Sequence, residues 1–509
     1  MVRRADSRIG IAAAVWLALL SACTVGPDYV KPTVEVPAGY KEMNGWKVAQ
    51  PRDDAIRGPW WEIFGDPLLN ELEREIDVSN QNLIVAEALF RQARALVQAA
   101  RAGYFPTVTV GASLTRSRRS FTGSSNSSGT FTDYLLPVDV SWEPDLWGRV
   151  RRNVEAGRAG AQASAADLAS TRLSIQASVA QFYFQLRALD SQKQLLDTTV
   201  IALQKSLDLT MNRYASGVVS RADVLQAETL LKTTRAQAID IGVQRSQFEH
   251  ALALLVGRPA SVFSIPAVPL STVPPPVPVG VPSELLERRP DIAAAERRAA
   301  AASAQIGAAE AAYFPIITLS ASGGFESGNL SRWLSWPSRI WSIGPAISEL
   351  VFDGGLRQAQ TSQARAAFDA NVASYRQTVL TGFQEVEDNL AALRILEEEA
   401  GVQDDAVKAA QQSLDLTTSQ YKAGTASYLD VLVSQVTALN NERVAIDILG
   451  RRMAACVLLI KALGGGWDAS SLPTAEDLDT GNGNDRPRQS GDVKPARADE
   501  RPKEKSIAD

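Results

Sequence analysis

Apolar and polar residues alternate in four short segments of the chain, and the alternation is strict in the first of them. The segments are 107–115, 134–142, 317–325 and 341–347. Because successive side chains of a strand point to opposite faces, each segment predicts a β-strand with one apolar and one polar face. The pattern therefore predicts two β-hairpins, over about 106–143 and about 315–352.

A different period marks two very long helices. From about 149 to the helix breaker Gly217, apolar residues recur every three or four positions, and a weaker series runs from about 354 to Gly424. Such a series predicts a helix that packs lengthwise against others. The first helix has about 65 residues and is roughly 100 Å long at about 1.5 Å per residue. Shorter helices are predicted at about 79–103, 220–256, 290–312 and 427–463.

The order of these elements occurs twice because the chain has two similar halves. Residues 207–241 and 414–448 align without gaps and are identical at 14 of 35 positions. A Tyr-Phe-Pro triplet also recurs at 104–106 and 313–315, and its proline, which lacks an N–H group, stops the preceding helix. Two blocks at nearly one offset predict an internal duplication.

The N-terminus carries a targeting signal. An arginine-rich start precedes an apolar stretch, Ile9 to Leu20, which predicts a secretory signal peptide over 1–22. The Leu-Ser-Ala-Cys sequence that ends at Cys23 resembles a bacterial lipobox, in which Cys23 becomes the first residue and carries N-palmitoyl and S-diacylglycerol groups. Thr24 stands where inner-membrane lipoproteins have aspartate, which implies the outer membrane. The alternative is an ordinary signal peptide followed by a chance cysteine.

Composition excludes several classes of function. Asp and Glu (57) outnumber Lys and Arg (52), and the net charge of −5 argues against a nucleic-acid partner. With two cysteines and one histidine, the chain offers neither a disulfide framework nor a His-rich metal site. We find no nucleophile–base arrangement and no phosphate-binding loop. The sequence therefore predicts a non-enzyme with no cofactor apart from the covalent lipid.

Four strands are too few to close a barrel in a membrane. An open sheet edge in lipid would leave backbone N–H and C=O groups without partners, and outer-membrane barrels begin at about eight strands. Either the hairpins lie on a soluble core, or several chains pool their strands around one axis. Lipid attachment, aromatic residues near the strand ends and helices of roughly 100 Å favour pooling. Composition leaves two, three or four copies open.

Several motifs stand out in the chain. They are Gly-Pro-Asp-Tyr at 26–29, Trp-Trp-Glu-Ile-Phe-Gly-Asp-Pro-Leu at 60–68, Pro-Asp-Leu-Trp-Gly-Arg at 144–149, Pro-Ser-Glu-Leu-Leu-Glu-Arg-Arg-Pro-Asp-Ile at 282–292 and two Tyr-x-x-Gly turns. Together they resemble the TolC-like outer-membrane efflux protein family, in its NodT-type lipoprotein branch. The resemblance implies a mixed α+β membrane protein: a homotrimer in which four strands per chain form a twelve-stranded β-barrel, continuous with a long periplasmic α-helical barrel.

The resemblance also implies a function. The chain would be the outer-membrane channel component of a tripartite efflux system, a passive exit duct for drugs or other small molecules. Its partners would be a periplasmic adaptor (membrane fusion) protein and an inner-membrane pump, commonly of the RND type. It would be anchored by lipid in the outer membrane and extend into the periplasm. The alternatives are a type I protein secretion duct and a structural coiled-coil lipoprotein.

The predicted organisation follows from these elements. In chain order it is a signal peptide (1–22), a lipid anchor and N-terminal equatorial segment (23–78), the first repeat (79–263), a proline-rich connector (264–289), the second repeat (290–470) and a disordered tail (471–509). The tail is assigned to disorder because its Asp, Gly, Asn, Pro, Arg and Lys residues cannot bury a core.

The turns between the long and returning helices, at 214–220 and 421–427, would be the periplasmic tips at which the family's tube closes. In a closed tip we expect Leu429 of each chain to form an apolar plug. Rings of Asp223 and Asp430 would make a negative mouth that favours cations. Alternatively, both aspartates cap the returning helices. The other residues predicted to shape the tips are Arg213, Tyr214, Gly217, Tyr421 and Gly424.

Two departures from the family's pattern affect these tips. Related chains often have an arginine immediately before the tip tyrosine; Arg213 keeps it in the first repeat, whereas the second repeat has Gln420. Related chains also often have an acidic residue one turn after the leucine, where this chain has Val433. A cluster of Arg, Glu and Asp at 284–291 has the composition of a catalytic site. We interpret it instead as a network at a helix start and an interface.

Overall fold

The computed structural model describes residues 25–43, 58–119, 129–277 and 282–480, so the predicted signal peptide and Cys23 lie outside the described residues. The main helices are α1 (Pro67–Ser79), α2 (Gln81–Ala102), α3 (Arg149–Ala215), α4 (Arg221–Leu255), α5 (Pro290–Ala311), α6 (Leu356–Ala423), α7 (Tyr428–Ala462) and α8 (Ala475–Asp479). The strands are β1 (Thr107–Val110), β2 (Ser113–Arg119), β3 (Gly129–Trp142), β4 (Ile316–Ser327) and β5 (Arg339–Ser348). Within the described ranges, no helix combines the length and hydropathy that crossing a bilayer requires.

The strands form one antiparallel sheet in which β1 and β2 pair with β3, β3 with β4, and β4 with β5. β1 and β2 keep a single register along β3, with Val110 opposite Val138 and Ser113 opposite Leu135. The gap between them lies opposite Pro137, which has no N–H group to give to the ladder. The prediction of four strands in two hairpins is therefore confirmed, with the first strand interrupted once.

The two long helices match the predicted lengths. α3 has 67 residues and α6 has 68, so each extends roughly 100 Å at about 1.5 Å per residue. Each is followed by a returning helix of 35 residues, α4 or α7. Helix, hairpin, long helix and returning helix thus follow one another in the same order in both halves of the chain.

The main hydrophobic core lies beside the middle of the long helices. Trp60 and Phe64, which precede α1, are buried in it, and the Phe64 ring lies 4.8 Å from that of Phe184 on α3. Asp66 caps α1 by accepting two backbone N–H groups of its first turn, and it also accepts the Tyr183 hydroxyl at 2.6 Å. α1 was not predicted from the sequence, although an aspartate followed by proline is a typical helix start. This core joins the N-terminal segment to both repeats.

Residues 25–43, here called the N-terminal strap, run along the helices of both repeats. At its start the Val25 N–H donates to the Trp147 carbonyl at 3.3 Å, where β3 gives way to α3. Gly26 then passes so close to α5 that an added Cβ would lie 2.3 Å from the Cα of Gly307. At its other end two backbone N–H groups donate to the Glu387 carboxylate at 2.7 and 3.0 Å. The strap is therefore a packed element.

The beginning of the predicted disordered tail is ordered, so that prediction is wrong for residues 471–480. Thr474 and Asp477 form a capping box that starts α8. Leu478 is 1% exposed and packs with Val97 and Ala161 of α2 and α3, and Asp479 pairs with Arg158. The composition of the tail did not indicate this ordered segment, because a single leucine that fills a gap between two helices hardly changes the average. Residues 481–509 lie outside the described residues.

A buried carboxyl group in α1 makes stability depend on pH. Glu73 is 0% exposed, and neither of its oxygens has a hydrogen-bond partner among the described residues. Burial, with a smaller contribution from Asp77, raises its pKa well above the ordinary value. A raised pKa favours the folded state below the unfolded pKa of about 4.3, and this contribution is lost as pH rises through the folded pKa.

We expect Glu73→Gln to raise the thermal midpoint of the detergent-solubilised protein by at least a few degrees at about pH 8 and to leave it nearly unchanged at about pH 4. Gln is nearly isosteric and cannot ionise. Glu71→Gln is the matched control, because Glu71 is an exposed residue of the same helix. Equal shifts at both pH values, or equal shifts in both variants, would show that the Glu73 charge is not the cause.

Candidate functional site

The two long helices end in the same way. In the first tip the Val218 N–H donates to the Arg213 carbonyl at 2.9 Å, and in the second the Thr425 N–H donates to the Gln420 carbonyl at 3.0 Å. The intervening residues Gly217 and Gly424 have φ values of 73° and 82°. This pattern is the Schellman motif, whose left-handed position favours glycine because it has no Cβ. Both glycines predicted to shape the tips are therefore required by the turn.

The two aspartates of the predicted charged rings are helix caps in the structure. Asp223 accepts the Ser220 N–H at 2.9 Å, and Asp430 accepts the Ser427 N–H at 3.0 Å. Each serine hydroxyl in turn accepts the N–H of its aspartate, which completes a capping box. The Ser427 hydroxyl and N–H lower the pKa of Asp430, so its exposed carboxylate is charged at neutral pH. The predicted alternative, that both aspartates cap helices, is confirmed.

An arginine of the first tip holds a tyrosine of the second. The Arg213 guanidinium lies 4.4 Å from the centre of the Tyr421 ring and donates a hydrogen bond to the Tyr421 carbonyl. The Tyr421 ring contacts Tyr428 edge-on, with 5.6 Å between ring centres, and both tyrosines are buried. They pack with Leu203, Leu207 and Leu231 of the first repeat. The structure thus joins the two tips into one unit.

Other predicted tip residues are exposed. Leu429 is 53% exposed and Tyr214 is 47% exposed. Val433 and Val436 are also exposed and follow Leu429 by one and two turns on the same face of α7. Within one chain, therefore, an apolar stripe beside the Asp430 carboxylate is left uncovered. Such a stripe can exclude water and ions if copies of it meet.

Tyr428 is a tip residue that sequence reasoning missed. Its counterpart in the first repeat is Arg221, so the comparison of repeats gave no signal. The contact of Arg213 with Tyr421 was missed as well, because each residue was considered within its own repeat. Burial raises the pKa of Tyr428, which stays neutral in the cluster. A signal existed in the alignment of the repeats, in which Gln420 stands at the position equivalent to Arg213. One arginine is enough because Arg213 of the first tip binds Tyr421 of the second.

The charged cluster at 284–291 is centred on Arg289. Arg289 is 6% exposed, and its guanidinium binds Asp291 through two hydrogen bonds of 3.0 and 2.7 Å. It also donates to the Glu385 carboxylate at 2.6 Å and to the Ala462 carbonyl at 3.1 Å. The cluster therefore joins the start of α5 to α6 and α7. This is what a network at a helix start and an interface requires.

Arg289→Ala is expected to lower the free energy of unfolding by about 3 kcal/mol, since it leaves carboxylates without their buried partner. The check is thermal or denaturant unfolding in detergent. Arg288→Ala is the matched control, because Arg288 pairs with Glu284 one turn away at a more exposed site and should cost no more than about 1 kcal/mol. Equal losses in the two variants would contradict the assignment of Arg289 as the centre.

Comparisons with known proteins agree on one family. The model of the family described as "Outer membrane efflux protein" matches residues 73–258 and 281–465. The chain is 34% identical over 465 residues to the probable efflux pump outer membrane protein TtgC of Pseudomonas putida, covering 89% of this chain and 95% of the relative. It is 32% identical over 470 residues to the outer membrane protein OprJ of Pseudomonas aeruginosa, covering 90% and 96%.

The structure of this chain resembles that of the outer-membrane channel OprN, with a TM-score of 0.82 and 32% identity. The match covers 87% of this chain and all of that chain. The likeness extends over both the sheet and the long helices, because it includes most of the described residues. The chain is thus an outer-membrane efflux component and belongs to the outer membrane efflux protein family.

Proposed function

We propose that three copies of the chain form a passive exit duct through the outer membrane. The observation that carries this proposal is the sheet: its edges, β1–β2 and β5, lack strand partners within the described residues, and one of its faces is apolar and exposed. In lipid such edges need partners, and three copies of four strands would give a twelve-stranded barrel. The trimer is what the family resemblance implies.

The helices fit a tube that continues the barrel. α3 and α6 begin a few residues after β3 and β5 and lead away for roughly 100 Å, with the returning helices α4 and α7 beside them. We place this tube in the periplasm, where an adaptor protein and an inner-membrane pump of the RND type would deliver drugs or other small molecules. The duct supplies a path and no catalysis. The type I secretion duct and the coiled-coil lipoprotein are less favoured, because the relatives are efflux proteins and a rod needs no sheet.

The tips are the proposed gate. Leu429 of each copy would meet its equivalents at the axis and exclude ions by dewetting, and Val433 and Val436 would extend this apolar constriction. The caps Asp430 and Asp223 would line the mouth, since a carboxylate that caps a helix can also present charge to the solvent. The joint between Arg213 and Tyr421 would make the two tips of each chain move together.

The proposed lipid anchor agrees with the course of the N-terminal strap. Val25 is bound beside Trp147, close to the end of β3. Cys23 precedes Val25 by two residues in the sequence. Acyl chains on Cys23 would then lie at the level where the strands leave the membrane. This placement supports N-palmitoyl and S-diacylglycerol groups as a second attachment beside the barrel.

The mass of the purified protein in detergent tests this proposal. We expect light scattering, after subtraction of the bound detergent, to give a complex near three times the mass of the mature chain. A monodisperse monomer with native helical content would contradict the proposal, because its sheet edges would remain open. A dimer or tetramer of stable helical content would contradict the twelve-stranded barrel.

A further inference from the structure

The register of the sheet assigns every strand residue to one of two faces. Side chains opposite each other across a ladder share a face, so Val108 shares one with Val140, and Val140 shares it with Ala321. Continued to β5, this apolar face includes Trp341, Ile343 and Ile347, all more than 70% exposed. It is the face that the proposed barrel would turn toward lipid.

At the end of the sheet away from the helices, the apolar face carries positively charged residues. Arg116 and Arg118 lie opposite Thr132 and Thr130, and Arg339 lies opposite Phe325, which places all three arginines on the apolar face. They are exposed, and none of them forms an ion pair with a described residue. The acidic residues of the strands share the opposite face; they are Asp133, Asp139 and Glu326.

Aromatic rings lie at the same end of the sheet, and one of them contacts Arg339. Arg339 stacks on Trp336, with 3.0 Å between its Cζ and the ring centre, and Trp336 is 75% exposed. The Trp333 ring lies 5.7 Å from that of Tyr134, a residue of the apolar face. Tryptophan at the end of a lipid-facing strand is typical of the membrane interface. In the proposed barrel the arginines would therefore lie at the level of lipid headgroups rather than of acyl chains.

The loops at this end carry no compensating negative charge. In the sequence, residues 116–132 and 327–339 include no aspartate or glutamate, whereas they include Arg116, Arg118, Arg119, Arg332 and Arg339. A charge of one sign, exposed beside an apolar surface, needs a partner of opposite sign that also has an apolar part. Guanidinium groups bind phosphate with two parallel hydrogen bonds, which makes a phosphorylated lipid the best match.

We propose that Arg116, Arg118 and Arg339 bind the phosphate groups of a phosphorylated glycolipid in the outer leaflet of the outer membrane. This inference rests on the proposed function, because it needs the hairpin ends to reach that leaflet. The sheet edges add a consequence. If copies join edge to edge, β5 of one copy lies beside β1–β2 of the next, so Arg339 and the Arg116–Arg118 pair meet at each of three seams.

The test uses the purified oligomer with diphosphoryl lipid A as the probe, and native mass spectrometry counts the lipids retained. Wild-type protein is expected to retain diphosphoryl lipid A about tenfold more than the dephosphorylated form, since guanidinium groups form paired hydrogen bonds with phosphate that the dephosphorylated lipid cannot offer. The triple variant Arg116→Gln, Arg118→Gln, Arg339→Gln should lose this preference. Arg221→Gln, Arg235→Gln, Arg376→Gln is the matched control, because it removes the same charge from exposed helical positions.

Two results would overturn the inference. One is equal retention of the phosphorylated and dephosphorylated lipid by wild-type protein, which needs no variant and so does not depend on folding. The other is a preference that survives in the triple variant or is lost in the control. Channel conductance of the same samples separates this failure from that of the proposed function. An oligomer that conducts but retains both lipids equally rejects the lipid site alone. Wild-type protein that fails to conduct rejects the duct.

Discussion

Replacing Leu429 with serine is expected to raise the single-channel conductance several-fold. An apolar ring excludes ions because water leaves a narrow hydrophobic constriction, and a hydroxyl group holds water in it. The charged Asp430 carboxylates next to the ring would then repel one another and widen the opening. Because Leu429 is 53% exposed, its loss should cost little folding energy. Cells that carry the variant should also become sensitive to vancomycin, a bulky antibiotic that would leak inward.

Two control variants distinguish the opening of a gate from the general effect of replacing a leucine with serine. Leu225→Ser removes a side chain of nearly equal exposure, 52%, from the first repeat's returning helix, and it should leave the conductance unchanged. Leu203→Ser removes a buried leucine from the cluster below Tyr428 and should lower the stability of the oligomer without opening it. Unchanged conductance for Leu429→Ser, in an oligomer of wild-type stability, would place the gate elsewhere, at the first tip around Tyr214 and Asp223.

Cys23→Ser is expected to abolish incorporation of radioactive palmitate and to weaken attachment to the outer membrane. Several acyl chains anchor a protein stably because each buried CH₂ group contributes about 0.8 kcal/mol. Oligomers should still insert, since the strap and the sheet do not depend on the lipid. Cys456→Ser is the matched control: Cys456 is buried, with its pKa raised to about 12 by that burial, and its loss should leave labelling intact. Persistent labelling of Cys23→Ser would reject the lipobox interpretation.

Much of the fold could be predicted because its signals are local and occur twice. The alternating segments gave the strands, and the breakers Gly217 and Gly424 gave the ends of the long helices, since the left-handed turn leaves little choice of residue. The capping role of Asp223 and Asp430 was also readable, as a serine three residues before an acid is a common helix start. These features depend on neighbours within a few residues.

Features that depend on distant contacts were missed. Nothing in the local pattern shows that Arg213 would lie over Tyr421, some two hundred residues away, or that Leu478 would fill a gap between α2 and α3. The interruption opposite Pro137 needed the register of β3, which pattern alone does not give. Whether Leu429 faces a channel axis depends on other copies of the chain, and so it cannot be deduced from a single chain's periodicity.

Single-channel recording in planar lipid bilayers tests the central claim most directly. Purified wild-type oligomer, added to one side of the bilayer, should insert and produce discrete conductance steps, with cations carrying more of the current than anions because Asp223 and Asp430 line the proposed mouth. A folded oligomer of the wild-type protein that never produces such steps, at concentrations at which known outer-membrane channels insert, would contradict the exit duct.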